Sequence, residues 1–217
     1  MMSANFKKRF LTSISLLILI FLFLSSDFVL IYSLIVLGVL SIIEFLNLSK
    51  KIFDNRLFLF LANFSFIFYI FIFCFLFIFF SNFIQLKTIL ILLIIICAAS
   101  DIGGFIFGKI FKGPKLTKIS PNKTISGSLG SIFLSILVMF ISEYFLTKNI
   151  SFNLILVAVI TSVFCQLGDL VFSYLKRKAK IKDTGNFLPG HGGILDRVDG
   201  ILLGFPIGFI SLMLLIK

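Results

Sequence analysis

The residues able to do chemistry crowd into the stretch between Gly168 and Asp199. It reads Gly168-Asp169, Ser173, Lys176-Arg177, Lys182-Asp183, Pro189-Gly190-His191-Gly192-Gly193 and Asp196-Arg197-x-Asp199, and it holds the chain's one histidine. Asp196 and Asp199 are three apart, so they share a face if the chain is helical from Leu195. With Asp169 they form a set of hard oxygen ligands, which suits Mg²⁺ better than Zn²⁺ because no thiolate or imidazole cluster accompanies them. Gly192 and Gly193, in a loop leading into a helix N-terminus, expose backbone N–H groups of the kind that hold phosphate oxygens. Lys176, Arg177, Lys182 and Arg197 add positive charge to the same stretch, and Lys182 beside Asp183 is more suggestive than a charge that only sets topology, although the two can also form a local ion pair. Each residue has a plainer reading. The aspartates can form salt bridges with Lys176, Arg177 or Arg197, His191 can brace the loop, and the cations can simply set topology.

A second polar stretch begins at Asp101 and includes Gly103, Gly104, Gly108 and Lys109. It continues through Lys115 to Ser120-Pro121-Asn122-Lys123-Thr124. A turn-setting proline with hydroxyls and a cation suits phosphate binding by Ser120, Lys123 and Thr124, and it equally suits a capped helix start.

These residues must be positioned by apolar elements, because little else is available. The 217 residues are 59% hydrophobic and 13% charged, with a mean hydropathy of +1.18. Soluble domains carry about a quarter charged residues. The 31 Phe without any Trp read as A/T-rich codon usage, so aromatic richness carries little weight. Apolar segments at 10–25, 28–46, 57–80, 84–100, 128–147, 152–174 and 200–216 predict an all-α, polytopic membrane bundle of about seven spans. Ser25-Ser26-Asp27 and Ser81-Asn82 make the first four segments two helical hairpins. Gly204, Pro206 and Gly208 predict a weak, bent last helix. The organisation expected is one membrane-embedded domain over 1–217, with N-terminal spans in 1–100 and a catalytic half in 101–217.

With the N-terminus in the cytoplasm and every segment crossing once, only Lys87, Lys148 and Lys217 of the 20 basic residues fall on the far side. That asymmetry obeys the positive-inside rule and turns both polar stretches to the cytoplasm. It also argues against nucleic acid as the reason for the +11 charge, since the cations sit in short loops between spans. Lys7-Lys8-Arg9 before the first apolar run mimics a signal peptide, but no small-residue cleavage site follows, so a retained span is the better reading. Cys74, Cys97 and Cys165 lie inside apolar runs and read as packing residues. Glu44 and Glu143 lie near segment ends and can reach toward headgroups; Glu44, at the cytoplasmic end, is the better candidate to line a cavity.

The pattern Ser173-x-x-Lys176-Arg177-x4-Lys182-Asp183-x-Gly185-x3-Pro189-Gly190-His191-Gly192-Gly193-x-x-Asp196-Arg197-x-Asp199 resembles the signature of the phosphatidate cytidylyltransferase (CDP-diacylglycerol synthase) family. The Asp101 to Gly127 region is similar to that family's other polar stretch, so the resemblance covers roughly the C-terminal half. It implies transfer of CMP from CTP to phosphatidic acid, giving CDP-diacylglycerol and pyrophosphate. It further implies Mg²⁺ on Asp169 and Asp196 with Asp199 beside them, a homodimer, and a site in the inner membrane open to cytoplasm and bilayer. Within that site it implies catalytic roles for Asp183, behind the metal or orienting substrate, and for Lys182 and Arg197 on phosphate, with Lys176 a further phosphate contact. Two departures stand out: the family usually has Lys where Asn122 stands and Glu where Ser126 stands. The rival readings are a CTP-dependent isoprenoid-lipid cytidylyltransferase, a polyprenol kinase, and, outside enzymes, a transporter, whose marks would be mid-span charges and paired broken helices.

Overall fold

The protein is seen in a computed structural model that describes residues 26–117, 119–121, 123–148, 151–185 and 192–215. The first expected span, with Lys7, Lys8 and Arg9, lies outside the described residues. So do Lys118, Asn122, Pro189, Gly190, His191 and Lys217.

The other six expected spans are helices: α1 (Asp27–Ser49), α2 (Arg56–Ser81), α3 (Ile84–Phe111), α4 (Ile125–Thr147), α5 (Phe152–Lys178) and α6 (Leu195–Leu215). All six are long and apolar enough to cross a bilayer, and the protein is a multi-pass membrane protein. Only helices satisfy every backbone group within one segment, which is why such apolar sequences adopt them in lipid. Asn55 starts α2 by accepting the Leu57 N–H at 2.9 Å. Thr124 starts α4 by accepting the Gly127 N–H at 3.1 Å. Lys176, Arg177 and Lys178 end α5, where positive charge meets the negative end of the helix dipole.

Three helices outrun one of their expected limits by about four residues or more. α3 continues past residue 100 to Phe111, so Asp101, Gly103, Gly104, Gly108 and Lys109 are helical rather than part of a polar loop. Their apolar neighbours Ile102, Phe105, Ile106 and Phe107 keep that turn-by-turn register attractive. α5 runs to Lys178, and α6 starts at Leu195, which places Asp196 and Asp199 on one helix a turn apart.

The chain forms two compact units, Met1–Asn82 with Leu175–Arg197 and Phe83–Tyr174 with Val198–Lys217. In the first, α1 and α2 pack as a hairpin. Phe45 stacks on Phe66 with centroids 3.9 Å apart, and the Ser49 hydroxyl donates to Asn63 Oδ1 at 2.6 Å. Phe60, Phe64, Phe68, Phe71, Phe75 and Phe79 of α2 are exposed, as suits a face solvated by acyl chains.

In the second unit, helices approach through small residues. A Cβ on Gly103 would overlap the Gly130 carbonyl, so α3 and α4 meet backbone to backbone. Gly200 and Gly204 of α6 lie against Cys165 of α5, where a Cβ at Gly204 would sit 3.0 Å from the Cys165 Cα and N. The glycines of the last helix therefore serve close packing of the small-xxx-small kind, and α6 stays helical with Pro206 inside it. Buried polar groups bridge the same helices: Ser100 and Ser162 share a hydrogen bond of 2.9 Å, and Ser128 donates to Gln166 Oε1 at 2.5 Å. Cys97 and Cys165 are wholly buried free thiols, in keeping with packing roles.

Because backbone rather than a flexible side chain blocks the space at Gly204, Gly204→Val should destabilise the protein by about 1–3 kcal/mol. Unfolding in an SDS titration followed by circular dichroism measures this; an unchanged midpoint would contradict the packing described.

Candidate functional site

In the first unit the polar groups gather at the start of α6. Asp196 Oδ2 accepts the Gly193 N–H at 3.1 Å and the Thr184 N–H at 2.8 Å. Its other oxygen, Oδ1, takes the Lys176 ammonium at 2.7 Å. This ion pair is well covered, with side-chain exposures of 13% for Lys176 and 8% for Asp196. Gly192 turns the chain with φ +81°, in the region that favours glycine. A Cβ there would lie 3.3 Å from Asp196 Oδ2 and 3.6 Å from Asp183 Cγ, so the two carboxylates flank this glycine.

Behind this group sits Glu44 of α1, 1% exposed. Its Oε1 accepts the Ile194 N–H at 3.0 Å, and its Oε2 accepts the Leu195 N–H and the Thr184 hydroxyl, both at 2.8 Å. The carboxylate supplies an acceptor to the N–H groups that a helix start leaves without intrahelical partners. Side chains at Gly185 or Gly193 would overlap it.

In the second unit, Asp169 of α5 takes the Lys123 ammonium at 2.6 Å, with side-chain exposures of 25% and 33% for Lys123 and Asp169. Lys123 is held by a short loop: Lys115 bridges to Thr124, Leu116 N–H donates to the Lys123 carbonyl at 2.8 Å, and Lys123 N–H donates to the Ser120 carbonyl at 3.1 Å. Asp199 is buried. Its Oδ1 accepts the Gly200 N–H at 2.9 Å, and its backbone carbonyl packs on Gly168, where a Cβ would come within 2.6 Å. The Cys165 thiol points at the Asp101 carboxylate from 3.9 Å.

Lys176, Asp183, Gly192, Gly193 and Asp196 come together in the first unit, and Lys123 with Asp169 in the second. Arg177, Lys182 and Arg197 present exposed side chains, while His191 lies outside the described residues. The Gly193 N–H, expected to serve a phosphate, goes to Asp196, the nearest strong acceptor. The Thr124 hydroxyl caps α4 and contacts the Ser126 hydroxyl at 3.0 Å, while Ser126 donates to the Lys112 carbonyl at 3.0 Å. That is the capped helix start the sequence also allowed. The Lys176–Asp196 pair follows the salt-bridge reading, and Lys123, expected to serve a phosphate, pairs with Asp169 instead; an unshielded carboxylate near an apolar interior draws the closest ammonium.

Thr184 was missed altogether; nothing marks a threonine between Asp183 and Gly185 as a shared donor. Glu44 was seen but given a cavity to line. The better signal was its position: a carboxylate inside an apolar helix needs partners, and donors in the polar cassette are the natural source.

The two ion pairs should differ in worth. Lys176→Met would leave a buried carboxylate short of a partner and cost about 3 kcal/mol, whereas Lys123→Met at its more open pair should cost about 1 kcal/mol or less. Denaturant titrations of both variants in one detergent check the order, and equal losses would refute it.

Comparison with known proteins finds proteins named phosphatidate cytidylyltransferase in Staphylococcus haemolyticus, Staphylococcus epidermidis and Staphylococcus aureus. Each is 46% identical over 110 residues, covering 50% of this chain and 42% of the relative. The chain thus matches less than half of these relatives' length. The cytidylyltransferase family matches residues 1–215, almost the whole sequence, and the chain belongs to that family.

Proposed function

We propose that the protein transfers CMP from CTP to phosphatidic acid, forming CDP-diacylglycerol and pyrophosphate in phospholipid synthesis. The observation that carries this reading is the Asp196 arrangement: a covered carboxylate with Oδ2 fixed by backbone and Oδ1 on a lysine, at the head of an apolar helix. Family membership supports a CTP-dependent nucleotidyl transfer, and the relatives' name supports the diacyl phosphate as acceptor.

The acceptor needs no general base. A phosphate monoester with a second pKa of about 6 is already largely dianionic near neutrality, so its oxygen can attack the CTP α-phosphorus directly. The obstacles are repulsion between two anions and charge gathering on the departing pyrophosphate. Positioning and electrostatics supply most of the acceleration in such transfers. Lys176 and Lys123 have ammonium groups already poised on carboxylates, able to turn to phosphate oxygens when substrates enter. Arg197, Arg177 and Lys182 are exposed cations in the same polar stretch, suited to gather and orient the CTP phosphates. Asp183 would order the chain around Gly192.

Asp169 and Asp196, each taken within its own unit, suit Mg²⁺. Asp169 and Asp196 are hard carboxylates that each carry an ammonium nitrogen within 2.7 Å as a stand-in cation, and Asp199 is a further candidate. Among the described residues no group of three or more metal-binding side chains forms a closed cage. Mg²⁺ keeps waters and phosphate oxygens and needs only one or two carboxylates. When bound, it would neutralise phosphate oxygens and stabilise the leaving pyrophosphate.

We place the reaction at the cytoplasmic face of the inner membrane, where CTP is available, and carry the expectation of a homodimer from the family resemblance. The isoprenoid and kinase alternatives have no specific observation in their favour, and the six described helices are each continuous, unlike the broken helices of many carriers.

Purified protein given labelled CTP, Mg²⁺ and phosphatidic acid should yield a lipid-soluble cytidine product. Asp196→Asn should remove that product while leaving membrane insertion intact; normal turnover would eliminate Asp196 as a ligand. Lys148 and Lys180, both exposed, test the orientation. In intact cells a membrane-impermeant thiol reagent should label Lys148→Cys and spare Lys180→Cys, and the reverse pattern would invert the topology.

A further inference from the structure

We propose that Glu44 is a positioning residue for Asp196, acting through the chain on either side of Gly193. The proposal rests on the reading of Asp196 as a cation ligand. Glu44 and its partners are 140 to 151 residues apart in sequence, yet they form one hydrogen-bonded unit. The donors are divided between two carboxylates in an interlocked way. Gly193 N–H goes to Asp196, the next two N–H groups go to Glu44, and Thr184 serves both, with its N–H on Asp196 and its hydroxyl on Glu44. Fixing Ile194, Leu195 and the Thr184 side chain therefore fixes the two backbone donors that hold Asp196 Oδ2.

Capping the start of α6 accounts for an acceptor behind the Ile194 and Leu195 N–H groups. It does not account for the third bond, which ties the same carboxylate to Thr184, the residue whose N–H holds Asp196. Among the described residues, Glu44 is met by neutral donors only, so it gives direction to backbone groups rather than partnering a cation. Both of its oxygens are in use, and side chains at Gly185 and Gly193 would overlap them. The glycine at 193 is thus explained by the acid behind it as well as by the turn. The consequence for Asp196 is asymmetric. Oδ2 is tied to rigid backbone, while Oδ1 is held only by the flexible Lys176 and remains the oxygen that can change partner.

Outer partners that orient a metal ligand typically alter affinity by about 10- to 100-fold when removed. Glu44→Gln replaces one accepting oxygen by an N–H₂ donor, so at least one of the three bonds must fail with almost no change in volume. The test uses the full chain in nanodiscs with Mn²⁺ as probe, read by the electron paramagnetic resonance of the free ion. Hydrogen exchange at the Thr184 and Gly193 amides, which donate to Asp196 rather than to Glu44, is measured alongside.

Glu44→Gln should weaken Mn²⁺ binding by about tenfold or more and speed exchange at both amides by a similar factor, with the thermal midpoint retained. Thr184→Val, which removes only the hydroxyl bond, should shift both readouts in the same direction and serves if the Gln variant does not fold. Unchanged exchange at Thr184 and Gly193 in the folded variant overturns the proposal. So does unchanged Mn²⁺ affinity where Asp196→Asn abolishes binding. If the wild-type protein binds no Mn²⁺, the cation reading fails, and the exchange data still decide whether Glu44 holds these donors.

Discussion

A carboxylate set into an apolar helix bundle is tolerable only if its oxygens are met by donors, because the surroundings offer little solvation. That requirement governs the polar parts of this protein. Glu44 is met by two backbone N–H groups and a hydroxyl. Asp196 is met by two N–H groups and an ammonium, and Asp169 by an ammonium. The donors are of two kinds, and the difference matters. Backbone N–H groups cannot leave without unfolding the chain around them, whereas a lysine can release one anion for another.

Supplying donors at those positions demands close approach, and glycine provides it in both units. Around Glu44, the absence of side chains at Gly185 and Gly193 lets the chain wrap the acid. Between α5 and α6, Gly200 and Gly204 let the helices meet at Cys165. Lipid offers no hydrophobic drive for such contact, so it depends on packing of this sort and on polar links such as Ser100 to Ser162. Substitutions in the two places should therefore differ in kind: one disturbs the direction of a carboxylate, the other the association of helices.

The apolar spans were legible in the sequence because a bilayer demands long runs and the chain has little else. Six of the seven segments are the six described helices. Their ends were less legible, and for a specific reason. Gly103, Gly104 and Gly108 look like loop residues by propensity, yet α4 packs on them and the helix continues to Phe111; tertiary contact overrides local preference. Within the polar cassette, residue types announced carboxylates, cations and turns, but not who binds whom. Thr124 as a cap and Lys176 on Asp196 were among the readings the residues allowed, whereas Lys123 on Asp169 was not. Only geometry chooses between them, since each depends on a partner distant along the chain. Glu44 shows the same limit most sharply, as its donors lie at least 140 residues away.

The choice of lysine rather than arginine on both aspartates bears on the proposed chemistry. Arginine binds carboxylates in a planar, two-pronged grip, whereas a lysine ammonium is a point charge on a flexible stem. Each Lys–Asp pair is close to neutral as a unit, so the resting site does not hold a bare charge near lipid. An incoming phosphate brings negative charge and a divalent cation brings positive charge, and a lysine can follow the phosphate while its carboxylate accepts the cation. A phosphate dianion and a divalent cation entering together add no net charge, which matters more at a bilayer surface than in water. The exchange also assigns different duties to the two oxygens of Asp196: one anchored so that geometry survives the exchange, the other exchangeable so that chemistry can occur. On this view the buried acid on α1 and the lysine on α5 are complementary parts of a single device.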